Sequence, residues 1–117
     1  MPYTTIDALA EDFATFRTFV ADAIRTRDTE KIRNESGYMR KVLEARCVSS
    51  PDRTAATRCV GLAVELFAKG IVDGESGAES PLYIGAGYVE LAKAEAQARW
   101  CANPDWSAAF IKPERFA

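Results

Sequence analysis

Apolar residues recur at steps of three and four along most of the chain, which is the period of an α-helix rather than that of a β-strand. The pattern is clearest near the start, where one stripe contains Ile6, Leu9, Phe13, Phe16, Val20 and Ile24. No stretch sustains the alternation of apolar and polar residues that is typical of a half-buried strand. The pattern therefore predicts an all-α chain.

Capping residues divide this pattern into four predicted helices, at about 4–27, 29–47, 50–70 and 80–102. Thr4 is followed three residues later by Asp7, which is the spacing of a capping box. Asp28 or Thr29 can begin the second helix. The third and fourth helices each begin at a Ser-Pro pair, which combines an N-cap oxygen with a proline tolerated in the first turn. We expect Gly70 to end the third helix.

Short connections between the four helices favour antiparallel neighbours, so we predict one antiparallel helical bundle formed by a single domain, residues 1–117. Residues 104–117 form an aromatic-rich C-terminal tail, in which a short helical element is predicted around Trp106 and Phe110. Folded back, these aromatic residues would cap the open end of the bundle. Left exposed, they would form an anchor of the kind that protein interfaces favour.

The fourth helix is the most informative stretch. It is apolar on nearly every side up to Val89, which predicts burial among neighbouring helices. Gly85 and Gly87 are expected to let another backbone come close, since a glycine inside a helix normally has a packing reason. Charged residues appear on several sides beyond Val89. We therefore expect the second half of the helix to leave the core and to end at an exposed Trp100.

Composition and charge limit the choice of function. The net charge of −2 is small and mildly acidic, which makes nucleic acid an unlikely partner. The three cysteines, Cys47, Cys59 and Cys101, are odd in number and unclustered, so we expect core packing in a reducing compartment rather than a disulfide framework. Neither a signal peptide nor a run of eighteen apolar residues is visible, so a cytoplasmic protein without membrane contact is predicted.

The chain contains no histidine, which removes the commonest general base and the commonest metal ligand. The cysteines lack CxxC spacing, and a zinc site would need all three of them with a carboxylate. We therefore predict no metal, no cofactor and no catalytic residue. The function class that fits best is a small non-enzymatic interaction protein, such as an inhibitor, an immunity protein, an adaptor or an accessory subunit.

The interaction surface has two predicted parts, a basic face of the second helix and the aromatic end of the chain. Between Arg25 and Arg58 there are nine Lys or Arg residues against five Asp or Glu, so an acidic protein partner is favoured over nucleic acid. A solvated helix face is the ordinary interpretation of the same charges. A homo-oligomer stays open. The predicted partner-binding residues are Arg33, Arg40, Lys41, Trp100, Trp106 and Phe110.

Two alternative functions use the fourth helix. In the first, a small apolar ligand lies against the backbone at Gly85 and Gly87, beside Tyr83 and Tyr88.

In the second alternative, Glu95, Arg99 and Tyr88 form the polar site of a carboxylate-dependent enzyme, joined by Glu35 or Arg46 of the second helix. The ordinary interpretation is an exposed ion pair, because Glu95 and Arg99 are four residues apart with the acid first.

Overall fold

The computed structural model describes residues 3–73 and 80–104 of the chain. Within these ranges the chain forms four packed helices and no strand, so the all-α prediction is confirmed. The helices are α1 (Thr5–Thr26), α2 (Thr29–Arg46), α3 (Pro51–Asp73) and α4 (Ser80–Trp100). None of the described helices has an apolar stretch long enough to cross a membrane. Apart from Pro104, the predicted C-terminal element lies outside the described residues.

Both predicted caps of the first two helices are present. The Thr4 hydroxyl accepts a hydrogen bond from the Asp7 amide at 3.1 Å, and the Asp7 carboxylate accepts one from the Thr4 amide at 2.8 Å. These bonds from Thr4 lower the pKa of Asp7. Arg27 ends α1 in the left-handed conformation, with φ at 59°, and the Asp28 carboxylate then caps α2 by accepting from the Lys31 amide.

The predicted end of the third helix is wrong, because α3 continues past Gly70 to Asp73. Gly70 is buried inside the helix, where a Cβ would lie 2.6 Å from Cδ1 of Ile84 in α4. The glycine therefore serves close packing of two helices and not a helix end. The Ser80 hydroxyl donates to the Gly70 carbonyl at 2.6 Å, which joins the start of α4 to α3.

The fourth helix ends at Trp100, two residues before the predicted end at 102. Ala102 instead pairs with Cys47 in an isolated antiparallel bridge. The Val48 amide donates to the Cys101 carbonyl at 2.8 Å, and the Asn103 amide donates to the Arg46 carbonyl at 2.7 Å. These bonds hold the end of α4 against the end of α2.

The helices follow one another around the core in chain order. α3 and α4 pack most extensively, α2 packs against α1 and α3, and α1 completes the ring against α4. α2 and α4 therefore lie diagonally across the bundle. The largest fully buried side chains come from all four helices and include Leu9, Phe13, Phe16, Ile32, Met39, Leu43, Phe67 and Leu91.

The predicted division of α4 into a buried first half and an emergent second half is wrong. Leu82 is 71% exposed and Val89 is 56% exposed, whereas Leu91, Ala94 and Ala98 in the second half are fully buried. The reason is that only one side of α4 faces α3, while apolar residues in the first half occur on every side. Trp100 is 83% exposed, so the helix end does carry an open aromatic side chain, as expected.

Candidate functional site

The side of α4 turned away from the core carries a row of apolar and small residues, with one exposed cation, Lys93, among them. They follow one another at steps of three and four, the spacing that places residues on one side of a helix. All of them are exposed. We call the row the α4 face; it consists of Leu82, Gly85, Val89, Ala92, Ala96 and Trp100.

The C-terminal end of the α4 face, at Trp100, adjoins a groove against α1. This groove has a volume of about 400 Å³ and is lined by Ile6, Ala96, Arg99 and Trp100. Ile6 was expected in the buried stripe of the first helix, yet it is 40% exposed here. An apolar side chain of α1 therefore extends the α4 face onto a second helix.

A second groove, of about 450 Å³, shares Ile6 and Arg99 with the first and continues to Tyr3 and Pro104. The Tyr3 hydroxyl donates to the Glu11 carboxylate at 2.7 Å. Partial burial and this hydrogen bond raise the pKa of Tyr3 to about 12. Tyr3 thus stays neutral at physiological pH and presents its ring at the edge of the groove.

The exposed charges beside the α4 face are both positive. Lys93 and Arg99 are exposed on α4, and Lys93 lies 3.1 Å from the Glu90 carboxylate. In the described part of the chain, Arg99 forms no ion pair. Glu95 pairs instead with Arg17 of α1, at 2.7 Å, and this contact joins the two helices.

The structure does not bring Tyr88, Glu95 and Arg99 together as one polar site. Glu95 is engaged with Arg17, Arg99 points to the grooves at the end of the bundle, and Tyr88 packs against Phe67. The rings of Tyr88 and Phe67 meet edge to face, with centroids 4.9 Å apart. Of these three side chains, Glu95 and Tyr88 therefore serve contacts between helices, and Arg99 lies at the surface.

The two glycines of α4 lie in different surroundings. A Cβ on Gly87 would lie 2.6 Å from Cε1 of Phe67, so α3 and α4 approach each other closely at Gly87. The space beside Gly87 is filled by this ring rather than open to a ligand. Gly85 faces open space, and the ring of Tyr83 lies 4.7 Å from the Lys69 ammonium nitrogen.

The predicted basic residues Arg33, Arg40 and Lys41 are all exposed on α2. Arg40 lines a groove of about 340 Å³ with Arg53 and Arg58 of α3, beside one acid, Glu44. This surface lies on α2 and α3 and shares no residue with the α4 face.

Trp106 and Phe110, the other predicted partner-binding residues, lie outside the described residues.

A buried polar cluster was missed by sequence reasoning. The Asp12 carboxylate of α1 accepts from the Arg46 Nε at 2.5 Å and from the Tyr38 hydroxyl at 2.7 Å. All three side chains are buried, and they join α1 to α2. The feature of the sequence that could have indicated this cluster is the position of Arg46 on the apolar side of its helix. Arg46 was expected to join Glu95 and Arg99, but Asp12 is its partner.

Cys47 and Cys101 are also neighbours, although they stand far apart in the sequence. Both thiols are buried and donate to the carbonyl oxygen of Ala98, at 3.5 Å and 3.6 Å. Burial, followed by the neighbouring Cys101 thiol, raises the pKa of Cys47 to about 12. Cys59 lies elsewhere, near Glu90, and its pKa is raised mainly by burial.

Within residues 3–73 and 80–104, no three His, Cys, Asp or Glu side chains converge in a way that could hold a metal ion. Comparisons with protein-family models, with curated proteins and with solved structures find no match for this chain.

Proposed function

We propose that this chain is a small non-enzymatic interaction module that binds a partner protein through the α4 face. The observation that carries the proposal is the exposed, mainly apolar row from Leu82 to Trp100, which runs nearly the whole length of α4 and contains one cation, Lys93. Scattered exposed apolar residues are ordinary, but a contiguous row on one helix is typical of a docking surface. Trp100 supplies the kind of large aromatic group that contributes most to interface affinity.

The form of the face favours a helix as the bound element. Gly85, Ala92 and Ala96 are small and leave shallow depressions between the larger Leu82, Val89 and Trp100. An amphipathic helix can place its own apolar residues into such depressions at matching steps of three and four. The groove between Ile6 and Trp100 extends the contact at one end.

The charges favour a different protein over a second copy of this chain. Lys93 and Arg99 are the exposed charged residues of α4, and no exposed acid of α4 lies beside them. A second copy would bring the same two cations. An apolar helix with acidic flanking residues complements the face and would dock in a defined register.

The basic residues of α2 supply a second, separate contact in this proposal. The groove at Arg40, Arg53 and Arg58 suits the carboxylates of an acidic segment, since guanidinium groups bind carboxylates in pairs. Because this groove shares no residue with the α4 face, one partner would have to reach both surfaces, or two partners bind. An inhibitor, immunity, adaptor or accessory-subunit role in the cytoplasm is consistent with both contacts.

Affinity purification from the native host with three tagged forms of the chain tests the proposal. The wild-type chain should retain a partner that is lost with Val89→Glu, because the new carboxylate places a charge in the middle of the apolar row. Thr18→Glu adds the same charge to an exposed position of α1, outside both proposed contacts, and should leave the partner bound. Equal recovery with all three forms would contradict a role for the α4 face.

A further inference from the structure

The ends of α2 and α4 are joined at a place that two cysteines share. Cys47 follows α2, and Cys101 follows α4. The bridge between Cys47 and Ala102 is flanked by the hydrogen bonds from Val48 to Cys101 and from Asn103 to Arg46. In this type of antiparallel pair the facing Cα atoms are about 4.5 Å apart. Cys101 directly precedes Ala102, so its Cα lies near that of Cys47; a disulfide needs the two Cα atoms about 4.4–6.8 Å apart.

The side chains also converge. The Cys47 and Cys101 sulfur atoms lie 3.5 Å and 3.6 Å from the same acceptor, the Ala98 carbonyl oxygen. Both residues belong to the buried core, and the Cys101 side chain is a hydrogen-bonding neighbour of the Cys47 thiol. The three cysteines are far apart in the sequence, but in the fold Cys47 and Cys101 form a neighbouring pair and Cys59 lies apart from them.

We propose that Cys47 and Cys101 are a redox modification site, at which a low-molecular-weight disulfide such as oxidised glutathione converts the two thiols into one reversible disulfide bond. The bond would tie the end of α2 to the end of α4. This inference is independent of the protein-binding role proposed for the α4 face.

The reaction proceeds by two exchanges and needs no other reactant. The first thiol loses its proton and attacks one sulfur of the oxidant, whose S–S bond breaks; the half that leaves takes up a proton as a free thiol. The second thiol then loses its proton and attacks the cysteine sulfur of this mixed disulfide. The Cys47–Cys101 bond forms, the bond to the oxidant breaks, and the second half of the oxidant takes up a proton and leaves as a thiol. Two cysteines are oxidised, and one disulfide is reduced to two thiols.

Because both thiols are buried, the exchange is slow in the folded chain and proceeds under conditions that open the end of the bundle. A buried thiol that holds its proton is a poor nucleophile, which agrees with the raised pKa of Cys47. Local opening of the short bridge between residues 46–48 and 101–103 exposes both thiols at once. Once formed, the bond fixes the helix end that presents Trp100.

The test is refolding of the full chain from urea in a buffer of oxidised and reduced glutathione, which removes burial as a barrier to reaction. Alkylation and intact mass spectrometry then count the free thiols, and peptide mapping locates the bond. We expect one alkylated cysteine, Cys59, and a linked peptide pair containing Cys47 and Cys101. The midpoint of thermal unfolding should rise by roughly 10 °C, and dithiothreitol should reverse this.

The chain offers a matched control. Cys59→Ser should keep the bond and the rise in the unfolding midpoint, whereas Cys47→Ser and Cys101→Ser should each lose both. Recovery of wild-type protein with three free thiols would overturn the inference. A bond that includes Cys59, or glutathione adducts that persist on Cys47 or Cys101, would overturn it equally.

Discussion

The ring of Phe67 occupies the space that a side chain at position 87 would need, since a Cβ on Gly87 would lie 2.6 Å from Cε1 and 2.7 Å from Cδ1 of the ring. Phe67 is fully buried and packs edge to face against Tyr88, so a shift of the ring would disturb the core packing. This contact sets the distance between α3 and α4. The buried side of α4 follows from it, and the exposed α4 face lies opposite.

Gly87→Ala should therefore destabilise the fold. Overpacking a core position costs about 1–3 kcal/mol, which exceeds the gain in helix propensity of about 1 kcal/mol from replacing glycine with alanine. Urea unfolding measures the change in the free energy of unfolding.

Gly85→Ala is the matched control, because position 85 is in the same helix and its Cβ would face open space. At position 85 only the gain in helix propensity remains, so the free energy of unfolding should rise by up to about 1 kcal/mol. If both substitutions stabilise the chain, the close packing of Gly87 against Phe67 is contradicted.

The buried pair of Asp12 and Arg46 should show strong energetic coupling. Asp12→Leu or Arg46→Met alone leaves an uncompensated buried charge and should lower the free energy of unfolding by about 3–5 kcal/mol. The double variant removes both charges and should lose much less than the two single changes together. Tyr38→Phe, which removes one hydrogen bond to Asp12, should cost about 1 kcal/mol.

A double-mutant cycle by urea unfolding measures this coupling. Additive single effects would show that Asp12 and Arg46 do not act as a pair, and would contradict the buried cluster between α1 and α2.

Local signals in the sequence were enough to place the helices. The Thr4–Asp7 box, the Asp28 cap and the Ser50 hydroxyl, which accepts from the Arg53 amide, are each satisfied within a few residues of chain. At the second Ser-Pro pair the Ser80 hydroxyl instead donates to the Gly70 carbonyl. Gly70 was misread because a glycine that ends a helix and a glycine that admits a neighbouring helix look alike in sequence. Its role is set by Ile84, fourteen residues away.

The site was less accessible to sequence reasoning than the fold. A helix that is apolar on every side does not indicate which side a neighbour will cover, so the exposure of Leu82 and Val89 depends on the packing of α4 against α3. Trp100 was anticipated because charged residues precede it. Periodicity places Arg46 on the apolar side of its helix, but the pairing with Asp12 joins different helices, and periodicity does not indicate the partner.

Asp22 should make stability depend on pH in the acid range. Its carboxylate accepts from Lys31 at 2.6 Å and also pairs with Arg25, and these hydrogen bonds lower the pKa of Asp22 in the folded chain. The unfolded chain has an aspartate pKa of about 3.9. The stabilisation is therefore complete above that value and is lost as pH falls below about 4, through the lowered folded pKa.

Carbon-detected NMR titration of the Asp22 carboxyl should give a pKa below that of an unstructured aspartate. Asp22→Asn should remove this contribution, so that its unfolding midpoint falls less steeply with acid than that of the wild-type chain. An Asp22 pKa at or above the ordinary value would contradict the bridge from α1 to Lys31 at the start of α2.

The most direct test of the α4 face is site-specific photo-crosslinking in the native host, with benzoylphenylalanine placed in turn at Val89, Ala96 and Thr18. We expect discrete adducts of higher mass from positions 89 and 96, which lie on the α4 face, and none from position 18, which is exposed on α1 outside both proposed contacts. Adducts equal in mass to two copies of the chain would contradict the proposed acidic helical partner. Absence of adducts at 89 and 96, or the same adducts at 18, would contradict the α4 face as the binding surface.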